Sequence, residues 1–239
     1  MSQYQFQAPR LTPVNKIILI ATVSLFLLHT ILKAVGAFSL LSMIGLSGSG
    51  VLSGLIYQFV TYPLIETQLM SALFNSLLIW FIGSELESLW GRKVYIRFLL
   101  LNVIGVGLFY FLVSFAFFHG THIYETSLHG LTGINFALLI AYATLYPDRQ
   151  LSLMMIFPMK AQTFCWILAA IEAYMALFSN ITTAWAHLLA MALSWLIIRF
   201  QQTPFLHKVL NKEFQKAKPR KGHLYVVKDD DQKPPKYWQ

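Results

Sequence analysis

The chain is organised by long apolar runs that are separated by short polar or glycine-rich segments. A run of about 20 apolar residues can cross a bilayer as an α-helix, which satisfies its own backbone polar groups in lipid. We predict six such helices, at 17–35, 69–84, 95–118, 131–146, 161–178 and 183–199. The fourth and sixth runs are short for a hydrocarbon core of about 30 Å, so we expect protein to cover them. The predicted fold class is an all-α polytopic membrane protein with six transmembrane helices.

The runs divide the chain into three parts. Residues 1–16 are a short polar N-terminus, 17–200 form the membrane domain, and 201–239 form a basic, Pro-containing tail that we expect to be flexible. Segment 36–68 within the membrane domain is moderately apolar and has no charged residue before Glu66. We expect it to be a long outer loop that lies partly in the membrane interface.

Composition agrees with the membrane class. The 239 residues are 56% hydrophobic and only 12% charged, with a mean hydropathy of +0.58, whereas soluble domains are about a quarter charged. The net charge of +8 does not indicate a nucleic-acid partner, because most basic residues lie in the tail or beside apolar runs. The single cysteine, Cys165, excludes an intrachain disulfide and a Cys-based zinc cage. We predict the lipid bilayer as surroundings, with no nucleic acid, metal or cofactor.

The basic residues also predict the orientation. If both termini are cytoplasmic (N-in/C-in), the outer segments 36–68, 119–130 and 179–182 contain no Lys or Arg at all. The exception among the 18 basic residues is Lys33, which can snorkel from the outer end of the first helix. We expect a multi-pass protein of a bacterial inner membrane.

Three polar residues fall at one depth. Thr132, His187 and Asn75 lie on different predicted helices, each within roughly 10 Å of the outer interface at 1.5 Å of rise per residue. An imidazole can accept the proton of a hydroxyl nucleophile, and a carboxamide N–H can hold an oxyanion. The same side chains also serve as hydrogen-bonding glue between membrane helices. Depth alone leaves both interpretations open.

Small residues predict that the fourth and sixth helices approach closely. They recur at helical spacing in both helices: Gly130, Gly133, Ala137 and Ala141 in one, and Ala186, Ala190 and Ser194 in the other. Such an approach would bring Thr132 within hydrogen-bond reach of His187. Phe136, one turn further along the helix, would lie against the His187 ring.

Three sequence stretches resemble the rhomboid family of intramembrane serine proteases. They are YQFVTYPLIETQLMSALFNSLLIWFIGSELESLWG from Tyr57, HGLTGINFALLIAYATLYPDRQLSLMMIFPMKA from His129, and AHLLAMALSWL from Ala186. The resemblance covers about residues 17–200 and implies a six-helix rhomboid-like bundle whose substrates are transmembrane helices. It implies that Thr132 stands at the nucleophile position, His187 at the general base and Asn75 at an oxyanion donor.

Several positions depart from the family pattern. Ser71 stands where the family has a second oxyanion-binding histidine, and Phe136 where a tyrosine stacks on the base. Ala190 and Ser194 replace packing glycines. Thr132 replaces serine, and its methyl group restricts χ1 in a site where about 1 Å of misplacement can cost on the order of 100-fold in rate.

These departures favour a degenerate protease, weak or inactive, that binds transmembrane helices as a pseudoprotease. The alternative is an active intramembrane endopeptidase that uses a Thr132–His187 dyad, and the sequence leaves open whether the protein is an enzyme. A small transporter is a remote alternative, because we find no ring of like charges and no inverted repeat.

Overall fold

The structure, a computed structural model, describes residues 9–36, 38–118, 126–148, 150–153, 157–178 and 181–201. The all-α polytopic fold class is confirmed. The helices are α1 (Pro13–Ala34), α2 (Leu40–Ile44), α3 (Gly48–Leu52), α4 (Gln58–Thr61), α5 (Leu69–Leu78), α6 (Ser84–Trp90), α7 (Arg92–Phe118), α8 (Thr132–Leu145), α9 (Ala161–Phe178) and α10 (Ile181–Gln201).

All six predicted runs fall on helices. Four are long and apolar enough to cross a membrane, namely Pro13–Ala34, Leu69–Trp90, Arg92–Phe117 and Thr183–Phe200. Thr132–Leu145 and Ala161–Ile171 are shorter apolar helices. As expected for a short helix, α8 is covered by protein, and most of its side chains are buried. The sixth helix extends from Ile181 to Gln201, two residues beyond the predicted run 183–199 at each end.

The second span is longer than predicted. Between α5 and α6 the helix widens into a π-helical turn at Ile79–Gly83 and then continues through polar residues to Trp90. It ends at Gly91, whose φ of 76° suits a residue without a side chain. Gly83 packs so closely on α7 that a methyl group added there would lie 2.7 Å from Tyr95 Oη.

A buried carboxylate joins the second span to the first. Glu87 accepts hydrogen bonds from the backbone N–H groups of Val14 (3.2 Å) and Asn15 (3.3 Å), and from the Thr12 hydroxyl. The Asn15 carboxamide adds a bond of 3.1 Å to Glu87 and accepts one of 2.7 Å from Tyr95. A negative charge at the positive end of a helix dipole stabilises that end, so Glu87 fixes the start of α1.

The segment predicted as the loop 36–68 contains several short helices, and its place in the outer interface stays a prediction. It contains α2, α3, α4 and a 3₁₀ turn at Tyr62–Leu64. The buried Gln58 side chain holds it together by accepting from Ser47 N (3.3 Å) and donating to Ser42 O (3.1 Å). Burial raises the pKa of the Tyr62 phenol, which stays neutral and donates to Val103 O at 3.2 Å. Helices of four or five residues are too short to show an apolar period, which is why the sequence did not predict them.

A short antiparallel hairpin, not predicted from the sequence, precedes α9. Its strands are β1 (Gln150–Leu153) and β2 (Phe157–Lys160), with Gln150 opposite Lys160.

The chain divides into two units, residues 1–200 and 201–239. Residues 1–8 and 202–239 lie outside the described part, so the predictions for the N-terminus and the basic tail stay predictions.

Candidate functional site

The site is built at the N-terminus of α8. Gly130 has φ +90°, a backbone conformation that side chains disfavour, and its N–H donates to Tyr62 O at 3.1 Å. This turn brings the chain sharply into the helix, with Leu131 at the N-cap position and Thr132 as the first helical residue. The N–H of Leu131 and the hydroxyl of Thr132 therefore lie together at the end of α8.

Glu66 is the centre of the site, although the sequence did not identify it as a site residue. Its carboxylate is 98% shielded from solvent and accepts three hydrogen bonds. Oε1 accepts from Leu131 N at 2.9 Å and from Asn75 Nδ2 at 2.8 Å, and Oε2 accepts from the Ser71 hydroxyl at 3.0 Å. Backbone and side-chain donors thus converge on one anion at the N-terminus of a helix, a favourable place for negative charge.

Asn75 is held in one orientation by a second asparagine. Asn135 Nδ2 donates to Asn75 Oδ1 at 2.8 Å and to Asn75 O at 3.1 Å, so the Nδ2 of Asn75 points toward Glu66. That nitrogen also lies 3.1 Å from Thr132 Oγ1 and 3.2 Å from Ser71 Oγ. Because the amide carries two hydrogens, one donates to Glu66 and the two hydroxyl oxygens share the other.

His187 lies beside this group. A methyl group added at Gly133 would be 3.7 Å from His187 Cδ2, and the Phe136 ring meets the imidazole edge to face, with centroids 5.5 Å apart at 71°. The Thr132 hydroxyl oxygen accepts a hydrogen bond from Asn75 Nδ2 at 3.1 Å. A Thr132–His187 dyad stays a prediction.

The predicted small-residue faces lie in a tightly packed core. Ala137, Ala141 and Ala190 are fully buried, and the Ser194 hydroxyl donates to Ala137 O at 2.6 Å. Ser194 thus ties α10 to the backbone of α8, which is a packing role.

The structure brings Thr132, Asn75 and Ser71 into one hydrogen-bonded group and sets His187 next to it. The sequence did not predict that the Glu66 carboxylate accepts hydrogen bonds from Ser71 and Asn75. Glu66 is the only Lys, Arg, Asp or Glu in segment 36–68, and a charge alone in a long apolar stretch was the available signal. Within the described residues, no three or more His, Cys, Asp or Glu side chains cluster in a way that could hold a metal ion.

A comparison with known families decides the classification. The family described as eukaryotic integral membrane protein (DUF1751) matches residues 16–215, which is most of the chain. The chain belongs to this family. The assignment corrects the expectation of a bacterial inner membrane, because the family is eukaryotic; the integral membrane character is supported. No curated protein matches the chain.

Proposed function

We propose that this integral membrane protein binds transmembrane helices at the Thr132 end of its bundle without cleaving them. The proposal combines the rhomboid-like sequence motifs with one decisive observation, which is the carboxylate of Glu66 in the middle of the site. The clients are transmembrane helices whose ends near the membrane surface unwind readily.

Glu66 accounts for the lack of hydrolysis. Acyl transfer needs hydrogen-bond donors that are aimed at the oxygen on which negative charge develops. Here the Leu131 N–H, the Asn75 carboxamide and the Ser71 hydroxyl already donate to a full negative charge. A client carbonyl is neutral before reaction and is the weaker acceptor, so it does not displace the carboxylate.

Removal of the carboxylate from these donors is also unfavourable in itself. Glu66 is buried, and a buried charge that loses its partners costs about 3–5 kcal/mol. The methyl group of Thr132 is then a second obstacle in the same place. Both features oppose nucleophilic attack by Thr132, and neither opposes binding.

The half-buried hydroxyls supply the binding chemistry. Ser71 and Thr132 are partly exposed at the end of the bundle, beside the exposed apolar side chains of Met70 and Phe74. An unwound turn of a client helix has free backbone polar groups that need partners in lipid. Hydroxyl groups at this depth provide them, at about 0.6–1.7 kcal/mol for each interhelical bond.

The test is a binding titration in proteoliposomes. The full-length protein carries a fluorescent acceptor at its N-terminus, and a single-helix client with a Gly-Pro segment near the membrane surface carries the donor. Thr132→Val keeps the shape of the side chain but removes the hydroxyl, and we expect client binding to weaken about threefold to tenfold.

The matched control is Thr144→Val, which removes a hydroxyl from the other end of α8. Thr144 donates to Ile140 O within its own helix at 2.7 Å, so client binding should be unchanged. Equal client affinity for Thr132→Val, Thr144→Val and the wild type would refute binding at this site.

A second candidate function is an endopeptidase that uses Thr132 and His187. It is favoured by one observation, the His187 ring lying between Gly133 and Phe136 on the helix that carries Thr132. This function requires the Thr132 hydroxyl to donate its proton to His187 and Glu66 to leave its donors.

A further inference from the structure

A second polar site lies at the same end of the bundle and plays no part in the proposed helix binding. It is an open cleft of about 320 Å³, a size at the lower end of the range for small-ligand pockets, about 300–1,000 Å³. Three parts of the chain line it: the last turns of α1 with the residues that follow, the segment before α5, and the approach to α8. The lining residues are His29, Lys33, Phe38, Ser39, Leu41, Thr67 and His129.

The lining of the cleft favours an anion. It contains one cationic side chain, Lys33, two imidazoles and two hydroxyls, and no carboxylate. The nearest acid along the chain, Glu66, has its oxygens engaged by Asn75, Ser71 and Leu131 N. Lys33 is also the exception to the distribution of basic residues along the sequence, and its place in the lining gives the cleft a positive charge.

His29 is the buried polar residue in the lining of the cleft. The residue is 94% shielded from solvent, and its Nδ1 has no hydrogen-bond partner among the described residues. Buried polar atoms are nearly always paired, so an unpaired one next to a cleft indicates a ligand or an ion. Lys33 lies one helical turn further along α1, so both side chains belong to the same face of the helix.

Thr67 and His129 form a hydrogen-bonded pair in the lining of the cleft. His129 Nδ1 is 2.9 Å from Ser127 O, which can only accept, so Nδ1 carries the proton. In the neutral ring, Nε2 then accepts from the Thr67 hydroxyl at 3.2 Å.

We propose that this cleft binds a phosphate group, and that the phosphate belongs to a phospholipid headgroup. The apolar surroundings favour lipid over free phosphate. Phe38 and Leu41 line the cleft, and the large side chains of Leu28 and Ile31 are exposed on the adjoining α1. A headgroup held by Lys33 and His29 would leave its acyl chains along that exposed face of α1.

Titration calorimetry on the full-length protein in a nonionic detergent tests the proposal. Three ligands are compared: dihexanoyl phosphatidic acid, dihexanoyl phosphatidylcholine and inorganic phosphate. Phosphatidic acid carries an uncovered phosphate on a lipid, and phosphatidylcholine carries a phosphate that is covered by a cationic choline. Inorganic phosphate has no lipid part. We expect phosphatidic acid to bind most tightly.

Lys33→Gln is the decisive variant, because Lys33 is exposed and its replacement does not disturb the fold. It should weaken phosphatidic acid binding about tenfold, the effect of losing one charge-assisted contact. Lys16→Gln, the same change at an exposed position near the other end of α1, should leave binding unchanged. His29→Gln should weaken binding similarly, provided its elution profile and Tm match the wild type.

Each remaining outcome is informative. Inorganic phosphate that binds as tightly as phosphatidic acid, with the same loss in Lys33→Gln, would support the phosphate site but overturn lipid as its source. Equal affinities of Lys33→Gln and Lys16→Gln would overturn the site itself. An acidic client peptide that binds in a Lys33-dependent manner, while phosphatidic acid does not bind, would also overturn it, in favour of a client contact.

Discussion

At the scale of single residues, Glu66 has two roles. Its carboxylate caps the N-terminus of α8 through Leu131 N and fixes the side chains of Ser71 and Asn75 on α5. In the proposed function, the same bonds occupy the donors that hydrolysis would need. A substitution at Glu66 therefore tests how much this carboxylate stabilises the fold.

Glu66→Gln should lower the free energy of unfolding by about 1–3 kcal/mol, because it removes the charge from three buried hydrogen bonds. The measurement is thermal unfolding in detergent. Asp148→Asn is the control, since that carboxylate is exposed and pairs with the exposed Lys160, so its loss should cost less than about 1 kcal/mol. An equal fall in Tm for both variants would contradict the role given to Glu66.

Gly130→Ala tests how tightly the turn before α8 encloses the carboxylate. An added methyl group would lie 3.3 Å from both oxygens of Glu66. Gly54 has a similar φ of 94° but nothing within 4 Å of the added group, so Gly54→Ala reports the backbone cost alone, about 1–2 kcal/mol. We expect Gly130→Ala to cost about 1 kcal/mol more in the same unfolding measurement.

The sequence predicted the polar residues of the site but not what they bind. Depth along separate helices was enough to group Thr132, His187 and Asn75, because helical rise converts position in the chain into position in the membrane. Glu66 was missed because it lies in an irregular segment, where spacing gives no direction for a side chain. The hydrogen bond from Asn75 to the Thr132 hydroxyl oxygen depends on side-chain rotamers, which no pattern of residues reveals.

At the scale of helices, the packing of α8 against α10 depends on more than small residues. Ser194 is buried, and its hydroxyl donates across the interface to Ala137 O. This bond joins the two helices directly. The spacing of Ala190 and Ser194 predicted the close contact, and the bond is an addition from the structure.

Ser194→Ala should therefore lower the free energy of unfolding by about 0.5–1.5 kcal/mol. Ser88→Ala is the matched control, because Ser88 is exposed and donates to Ser84 O within its own helix at 2.8 Å. Its replacement by alanine, the best helix former, should be close to neutral. A Ser194→Ala protein as stable as Ser88→Ala would show that the interhelical bond contributes nothing.

Long helices could be predicted from the sequence and short elements could not. The length of the apolar run 95–118 is enough to predict a helix, and the structure has a helix there from Arg92 to Phe118. The extension of the second span through Glu85 and Glu87 was missed, because its polar residues face buried partners instead of lipid. Glu87 reaches the start of α1, a contact between residues more than 70 positions apart.

At the scale of the whole molecule, the chain is a helical bundle that belongs to a eukaryotic integral membrane protein family. Buried carboxylates hold the two ends of the second span to other helices: Glu66 to α8 and Glu87 to α1. The Glu66 contact lies at the Thr132 end, where a client helix is proposed to bind.

The central claim, binding without cleavage, is tested most directly by one rate measurement. The protein is reconstituted with the Gly-Pro-containing client, and cleaved client is quantified by mass spectrometry for the wild type and for Thr132→Ala. We predict no cleavage by the wild type above that of Thr132→Ala. Cleavage by the wild type that disappears in Thr132→Ala would contradict the account and establish Thr132 as a nucleophile.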